Sequence, residues 1–318
     1  MSGGWTHLVR AEVDVRPKCA PNPSATIQIV SRIQGRNDEL DGRNLRHRDD
    51  LDAAVAAALA AGAIAREFYD GETAATYAKG DGSHVTDADL AADQAIRTVL
   101  TDRFPTDAIL SEEGQDDDRR LTNSRCWIVD PIDGTEQFIQ RTGEFDVLVA
   151  LAENGRPVAV AGYQPTTRLL LTATKDGGTW MRSGDSAWQR VRLEPAGDRL
   201  RIGTSKWFGA PGNAAIMESV ANRLGAVLEE PAVTGFSPRM FLAPRAVDVM
   251  IGVRPGTDQT MASEWDFAVA DLAFHEAGGM VTDLSGQQFR YNKPVPHNLG
   301  GLLAAADPSS HARVLAAL

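Results

Sequence analysis

The sequence predicts an α/β protein built from two packed lobes, and three observations support this prediction. The chain has 318 residues, which is enough for one large domain or two ordinary ones. Two helical segments followed by several short apolar runs precede residue 198, a pattern typical of helices packed on a sheet. Beyond residue 198, strand and helix patterns alternate. We therefore expect an α+β lobe over residues 49–198 and an α/β lobe over residues 199–318.

The composition is that of an ordinary folded chain, with 43% hydrophobic and 24% charged residues, so disorder is not expected to dominate. The formal net charge is −11. A chain this acidic is poorly suited to bind a nucleic-acid backbone, because phosphate contacts need clustered positive charge. If the ligand is nevertheless an anion, a bound metal ion is the device that would invert the local charge.

Cysteine content and hydropathy together predict a cytoplasmic protein. Only Cys19 and Cys126 occur, which excludes a disulfide framework and favours a reducing compartment. The longest apolar run, residues 53–65, is shorter than the roughly 20 residues that a membrane span requires. The first residues lack a secretory apolar core, because charged residues interrupt each apolar stretch.

Residues 1–48 differ from the rest of the chain. They carry eight Lys and Arg against five Asp and Glu, a local net charge of +3 in an acidic protein. Apolar periodicity is weak here, apart from one short candidate strand at residues 26–33. We predict that this stretch is a flexible extension.

Two helices are predicted at the start of the first lobe. Asp49 and Asp50 are N-cap candidates for an alanine-rich helix that ends near Gly71. Its larger apolar residues recur at helical spacing: Leu51, Val55, Leu59, Ile64 and Phe68. A glycine-rich loop over residues 79–83 leads into a second helix over residues 87–103, which a proline then stops.

Short apolar runs bounded by turn residues predict the strands of a sheet in the first lobe. These runs are residues 108–110, 127–129, 147–151, 158–162 and 169–173. In the second lobe the patterns predict strands at residues 201–204 and 226–228, and helices at residues 213–224 and 265–277.

The most informative segment is residues 127–138, WIVDPIDGTEQF. Its first apolar residues form a buried strand, and Asp130 lies at the carboxyl end, where α/β sites usually open. Pro131 is expected to forbid further ladder pairing and to force a turn that brings Asp133 back beside Asp130. Two carboxylates and the carbonyls between them are ligands of the kind that Mg²⁺ prefers.

The next two residues of this segment, Gly134 and Thr135, are expected to begin a helix. The free N–H groups of a helix start form an anion site, which would lie beside the metal position. The alternative is a simple β-hairpin turn, since Asp-Gly between apolar runs is a common hairpin signal.

Three further acidic segments each have a structural and a functional interpretation. Glu112 and Glu113 follow an apolar run, which is typical of a solvated loop, or one carboxylate binds metal and activates a water. Asp266 opens a predicted helix, where the dipole alone favours an acid. Asp87 and Asp89 follow the glycine-rich loop and have the same structural explanation.

In this order and at these spacings, the four segments resemble the Mg²⁺-dependent, lithium-sensitive phosphatase superfamily of inositol monophosphatases. Residues 127–138 match the signature W-(I/V)-(I/V)-D-P-(I/L)-D-G-T-x-x-F throughout, and residues 265–279 match W-D-x-A followed by E-A-G-G. The E-E and V-T-x-x-D elements occur at residues 112–113 and 85–89. The resemblance runs from residue 50 to the C-terminus. It implies a five-layer αβαβα sandwich of the inositol monophosphatase and fructose-1,6-bisphosphatase type.

The resemblance also implies Mg²⁺ as cofactor, with two or three ions. The first ion would be held by Glu112, Asp130 and the Ile132 carbonyl. The second would be held by Asp130, Asp133 and Asp266. Asp133 would thereby be catalytic as well, and Asp266 would also contact the substrate.

The same resemblance assigns the remaining roles at the site. A third, looser metal would lie near Glu112 and Asp89. Thr135, hydrogen-bonded within its own segment, would join Glu112 in orienting and deprotonating the attacking water. The N–H groups of Gly134 and Thr135 would bind the phosphate. The reaction implied is hydrolysis of a small phosphomonoester by a metal-activated water.

The substrate signal comes from residues 138–145, FIQRTGEF. This segment is similar to the F-I-x-R-x-G-E-F of bacterial 3'(2'),5'-bisphosphate nucleotidases, which remove the 3'-phosphate from adenosine 3',5'-bisphosphate. Inositol monophosphatases more typically have N-F-x-H-x-x-P-x-F at this point. We therefore predict adenosine 3',5'-bisphosphate or its sulfated relative as substrate, with an inositol, sugar or alcohol phosphate as the alternative.

A second-lobe segment, residues 235–239, is similar to a G-S-S-x-K element that contacts the nucleotide in these enzymes. Ser237 would line the site, and Arg239 would offer a bidentate fork to a 5'-phosphate. The alternative is a turn followed by a surface charge. His84 stands where the family usually has proline, which leaves the conformation of the preceding loop open.

The expected partner is a small phosphorylated metabolite, with no nucleic acid and no membrane. A homodimer stays open, because relatives of this kind include monomers and dimers. A phosphatase-like protein without catalysis is the non-enzyme alternative. The presence of the complete set Glu112, Asp130, Asp133, Thr135 and Asp266 argues against it. His275 and His297 lack the paired spacing of zinc sites, and Cys126 is expected to be a small buried hydrophobe.

Overall fold

The computed structural model describes residues 47–71, 75–78, 84–204, 211–229, 247–252, 262–298 and 300–318. The predicted extension, apart from its last two residues, and the glycine-rich loop at residues 79–83 lie outside these ranges, as do Ser237 and Arg239. The described elements of the first lobe are α1 (Arg48–Asp70), β1 (Thr76–Ala78), β2 (His84–Thr86), α2 (Asp87–Arg103), β3 (Ala108–Ser111), a 3-10 helix (Asp118–Thr122), β4 (Arg125–Asp133), α3 (Thr135–Ile139), β5 (Asp146–Glu153), β6 (Arg156–Gln164), β7 (Leu169–Thr174), β8 (Gly178–Ser183) and β9 (Gln189–Val191).

The described elements of the second lobe alternate more regularly. They are β10 (Arg201–Gly203), α4 (Pro211–Leu224), β11 (Val227–Leu228), β12 (Val249–Gly252), β13 (Ala262–Ser263), α5 (Glu264–Glu276), β14 (Met280–Thr282), β15 (His297–Asn298), β16 (Leu302–Ala305) and α6 (Pro308–Leu315).

The first lobe is built on a seven-stranded sheet with strand order β3-β4-β5-β6-β7-β8-β9. The β3–β4 pair is parallel and the other pairs are antiparallel. Alternate residues of a strand point to opposite faces of the sheet, and buried residues occur on both faces. Trp127 and Val129 pack toward α1 and α2, whereas Cys126 and Ile128 pack toward α5.

Helices α1 and α2 cover the outer face of this sheet. Eight alanines of α1 are buried, and their small side chains let the helix approach α2 and the sheet closely: Ala53, Ala54, Ala56, Ala57, Ala58, Ala60, Ala61 and Ala65. The helix begins at Arg48, so neither Asp49 nor Asp50 is its N-cap. Asp50 instead accepts a hydrogen bond from Nη2 of Arg125 at 2.8 Å, which ties α1 to β4.

The second lobe is a five-stranded sheet with strand order β11-β10-β12-β16-β14. Its Met250 and Leu302 pack against α5, and its Val249 and Leu303 pack in the cluster that contains Met217 of α4 and Val314 of α6. The layers are therefore α1 and α2, the seven-stranded sheet, α5, the five-stranded sheet, and α4 and α6. This confirms the five-layer αβαβα sandwich.

The predicted helices and strands of the first lobe up to residue 174 are confirmed, with ends that shift by up to four residues. In the second lobe, the strands predicted at residues 201–204 and 226–228 are present as β10 and β11, and the helices predicted at residues 213–224 and 265–277 are present as α4 and α5. The sequence does not predict β1, β2, β8, β9, the strands from β12 to β16, the 3-10 helix or α6. Cys126 is 1% exposed, and burial raises the pKa of its thiol to about 12, so it is an inert core residue as expected.

Gly62 gives a prediction about packing in α1. Replacing a glycine inside a helix by alanine normally stabilises a protein by about 1 kcal/mol. A Cβ at Gly62 would lie only 2.5 Å from Cδ1 of Tyr163. We therefore expect Gly62→Ala to lower the free energy of unfolding by about 1–3 kcal/mol, measured by urea denaturation.

The control for this measurement is Ala63→Gly, one residue along the same helix. It should lower the free energy of unfolding by about 1 kcal/mol through helix propensity alone. A more stable Gly62→Ala protein would show that the ring of Tyr163 moves away at little cost.

Candidate active site

The site begins where the regular ladder of β4 ends. Asp130 is 1% exposed and pairs with Leu148, and the register then shifts until Asp133 pairs with Asp146. The prediction that Pro131 ends the pairing is therefore wrong: the missing N–H opens a bulge and the strand resumes two residues later. The bulge brings the Asp130 and Asp133 carboxylates together. Oδ1 of Asp130 accepts a hydrogen bond from the Ile132 N–H at 3.0 Å.

Gly134 follows this bulge as the N-cap of α3, with φ of +93°. A side chain would be strained at this φ, and a Cβ would lie 3.0 Å from the Glu144 carbonyl oxygen. The helix begins at Thr135 as predicted and spans five residues. The hairpin alternative is therefore wrong, because a helical turn follows Asp133.

The third acid of the site, Asp266, comes from the first turn of α5, far from Asp130 and Asp133 in the sequence. Oδ2 of Asp266 accepts a hydrogen bond from the Ser263 N–H at 2.7 Å, as the third residue of a capping box does. Glu264, fully buried, accepts hydrogen bonds from the N–H groups of Asn292 at 2.6 Å and Lys293 at 3.0 Å. These contacts fix the start of α5 and hence the position of Asp266.

Three carboxylates meet at this point. Asp130, Asp133 and Asp266 each offer one oxygen, and the three oxygens lie within 4.8 Å of one another. Burial, followed by the nearby charge of Glu112, raises the pKa of Asp133 to about 7. The same causes, with Asp133 and Asp266 added, raise the pKa of Asp130 well above its ordinary value. Oxygen ligands that repel one another in a buried site suit a divalent cation, so the donor set fits Mg²⁺.

Glu112 lies close to this cluster but outside the group of three. Its charge acts on Asp130, Asp133 and Asp89, each of whose pKa values is raised first by burial and then in part by Glu112. Its backbone is fixed by the hydrogen bond from its N–H to the Val129 carbonyl at 3.2 Å. The sequence predicts Glu112 as a site residue, and the structure places its charge near the three clustered acids.

Asp89 is occupied by protein contacts. It accepts from the Thr86 N–H at 2.8 Å and from the Thr86 hydroxyl through Oδ2, and from the Thr135 hydroxyl at 3.1 Å through Oδ1. Burial raises its pKa and these hydrogen bonds oppose the rise. Sequence reasoning missed the link between Asp89 and Thr135. The T-x-x-D capping-box pattern at residues 86–89 is the signal for the half that involves Thr86. A third metal near Asp89 stays a prediction.

Thr135 has a second neighbour in its own segment, the Ile132 carbonyl oxygen at 3.2 Å. A hydroxyl carries one proton, so Thr135 donates to either Asp89 or Ile132 at a given moment. If the Ile132 carbonyl oxygen bound a metal ion, Thr135 would donate its proton to Asp89.

Three of the described histidines, His84, His275 and His297, contact side chains outside the acid cluster. Nδ1 of His275 lies 2.9 Å from the buried carboxylate of Asp271, and Nδ1 of His297 lies 3.2 Å from the Ser263 hydroxyl. His84, on β2, lies 3.5 Å from Glu136 on α3. Within the part of the chain that is described, no helix is both long and apolar enough to cross a membrane.

The chain is similar in sequence and in structure to several known proteins. The chain is 33% identical over 242 residues to the 3'(2'),5'-bisphosphate nucleotidase CysQ of Aggregatibacter actinomycetemcomitans, covering 73% of this chain and 84% of that protein. It is 31% identical over 250 residues to the Nus factor SuhB of Escherichia coli K12, covering 74% and 85%. The crystal structure of CysQ from Bacteroides thetaiotaomicron superimposes with a TM-score of 0.69 at 28% identity, covering 82% and 98%.

The fold and these relatives place the chain among phosphatases with an acidic, metal-binding type of centre. A model of the inositol monophosphatase family matches residues 47–318. The chain therefore belongs to the inositol monophosphatase family.

Proposed function

We propose that this protein is a Mg²⁺-dependent 3'(2'),5'-bisphosphate nucleotidase that hydrolyses adenosine 3',5'-bisphosphate to AMP and phosphate. The observation that carries the substrate choice is the segment FIQRTGEF at residues 138–145, together with the similarity to CysQ. Membership of the family supports the phosphatase class, and the geometry of the acids and of Thr135 supports the mechanism.

The segment at residues 138–145 packs against the end of α1. The rings of Phe138 and Phe145 lie 5.0 Å apart edge to face, and Tyr69 of α1 packs on both. Arg141 donates hydrogen bonds to the carbonyl oxygens of Tyr69 and, at 2.9 Å, Gly71. Because its guanidinium is hydrogen-bonded to these carbonyl oxygens at the end of α1, we infer that Arg141 supports the segment and does not bind the substrate.

The acids supply the metal centre. Asp130, Asp133 and Asp266 would hold Mg²⁺, with Glu112 and the Ile132 carbonyl completing the set. Bound Mg²⁺ lowers the pKa of a water and neutralises charge on the phosphoryl oxygens. This explains how a chain with a net charge of −11 accepts an anionic ester.

Thr135 and Asp89 form a path by which the attacking water loses its proton. When Thr135 donates its proton to Asp89 and not to the Ile132 carbonyl, its lone pairs face away from Asp89 and can accept from a water. Asp89 has a raised pKa, which suits a carboxylate that takes up a proton during the reaction. Glu112 shares in orienting this water, as the family resemblance implies.

The phosphate is held by the N–H groups of Gly134 and Thr135. The positive φ of Gly134 turns the chain sharply between the Asp133 carboxylate and the start of α3. Ser237 and Arg239 stay predictions for contacts with the nucleoside and its 5'-phosphate.

A phosphate-release panel tests the substrate choice. Turnover of adenosine 3',5'-bisphosphate should exceed turnover of myo-inositol 1-phosphate, because residues 138–145 are similar to the nucleotidases and lack the Asn and His of the inositol enzymes. The panel should also include sugar phosphates and be run with and without Mg²⁺ and Li⁺. The reverse preference would support the alternative, an inositol or sugar phosphatase. Absence of any phosphate release would favour a phosphatase-like binding protein.

A further inference from the structure

A second acid on α2 lies one helical turn beyond Asp89, on the same face. Asp93 is buried, and its Oδ1 accepts a hydrogen bond from the Ser111 hydroxyl at 2.5 Å. Ser111 is the last residue of β3 and directly precedes Glu112. Helix α2 therefore contacts the site twice, through Asp89 to Thr135 and through Asp93 to the residue before Glu112.

The second oxygen of Asp93 extends this contact to the far side of the Glu112 turn. Oδ2 accepts a hydrogen bond from Nε of Arg97 at 2.6 Å, and the Arg97 guanidinium is held against Gly114. A Cβ at Gly114 would lie only 1.8 Å from Nη2 of Arg97. The Gly114 N–H donates to the Ser111 carbonyl at 3.3 Å, which closes the turn around Glu112.

We propose that Asp93 is a positioning residue for Glu112, acting through Ser111 on one side of the turn and through Arg97 on the other. The inference rests on the proposed function, because it assigns Asp93 a role only if Glu112 binds metal. In this role Asp93 acts through its contacts with Ser111 and Arg97 and not as a metal ligand. It holds the turn at residues 111–114, from which the Glu112 side chain must reach the cluster in one orientation.

Such a contact would preorganise Glu112 for metal binding. The hydrogen bond from the Glu112 N–H to Val129 ties its backbone to β4. Asp93 and Arg97 hold Ser111 before it and Gly114 after it, so the direction of the Glu112 side chain depends on how this turn is held. Residues that orient metal ligands from behind typically change metal affinity or activity by about 10- to 100-fold when removed. Ser111→Ala removes the hydroxyl and leaves the ion pair of Asp93 with Arg97 intact, so it isolates one arm of the support.

The experiment is a calorimetric titration of the metal-free full-length protein with Mg²⁺, alongside the Mg²⁺ dependence of phosphate release. Ser111→Ala and Asp93→Ala should each weaken Mg²⁺ binding by about tenfold or more. Ser111→Thr keeps the hydroxyl and should restore binding. If Asp93→Ala does not fold, Ser111→Ala and its threonine rescue decide the question.

The matched control is Asp70→Asn. Asp70 forms an ion pair with Arg66 at the same i,i+4 spacing and the same 2.6 Å distance, but it is exposed and on α1. This variant should bind Mg²⁺ as the wild type does.

Two results would overturn the inference and leave the proposed function standing. The first is wild-type Mg²⁺ affinity in Ser111→Ala and Asp93→Ala. The second is lower turnover or stability in these variants without any change in Mg²⁺ affinity, which is what a merely structural role would give. A wild-type protein that binds no Mg²⁺ would instead remove the proposed function, and the role of Asp93 with it.

Discussion

Replacing Asp133 by asparagine should lower phosphate release more than about 100-fold while the protein stays folded. The substitution keeps the size of the side chain but removes one of the three charges that meet within 4.8 Å. A neutral amide is a weak ligand for Mg²⁺, which prefers carboxylate oxygens. The loss should therefore appear as weaker Mg²⁺ dependence and lower turnover, measured by phosphate release across a Mg²⁺ series.

The control for this prediction is Asp102→Asn, an exposed acid on α2 away from the cluster. It makes the same chemical change and should keep wild-type turnover. Normal phosphate release by Asp133→Asn would remove the metal assignment, and circular dichroism on the same samples would separate lost chemistry from lost structure.

The metal-free protein should lose stability as the pH rises toward and through about 7. The pKa of Asp133 is raised from 3.8 to about 7 in the folded protein, so the folded state holds a proton that the unfolded state has released. The stabilising effect of that proton is fully present below pH 3.8 and is lost as the pH rises to the folded pKa. Mg²⁺ should reverse the loss at high pH, because it replaces the proton between the carboxylates.

Urea denaturation with a chelator, at about pH 5.5 and about pH 8.5, measures this effect. Over that interval the wild type should lose about 2 kcal/mol more than Asp133→Asn, since a pKa difference of one unit corresponds to about 1.4 kcal/mol. Equal pH dependence of the two proteins would show that Asp133 is not protonated in the folded state. Added Mg²⁺ should stabilise the wild type more than the variant.

The sequence predicts the site best where the residues involved lie close together in the chain. Residues 127–138 carry two of the three clustered acids, the turn glycine and Thr135 within one strand–turn–helix segment, so their spacing alone restricts how they meet. The helix starts at Asp87 and Glu264 are also local, because a capping box needs only four consecutive residues.

The sequence predicts less well where pairing decides the outcome. Pro131 indicates the end of a strand, yet β5 continues alongside and the ladder resumes at Asp133 after a bulge. A proline removes one donor, and the neighbouring strand determines whether the loss ends the sheet or only kinks it. Strands β12 and β16 lie in short apolar stretches that become strands by pairing with each other.

The sequence by itself predicted the family and, through the resemblance to that family, the five-layer fold, because both depend on short motifs and their order. It also predicted Glu112, Asp130, Asp133 and Asp266 as metal ligands in the same way. Only the tertiary structure decided that Thr135 hydrogen-bonds to Asp89 and that Ser111, the residue before Glu112, hydrogen-bonds to Asp93. These contacts join residues 46 and 18 positions apart. Hydrogen bonds act over about 3 Å, so no spacing in the chain reveals such a pair until the helices and strands are packed together.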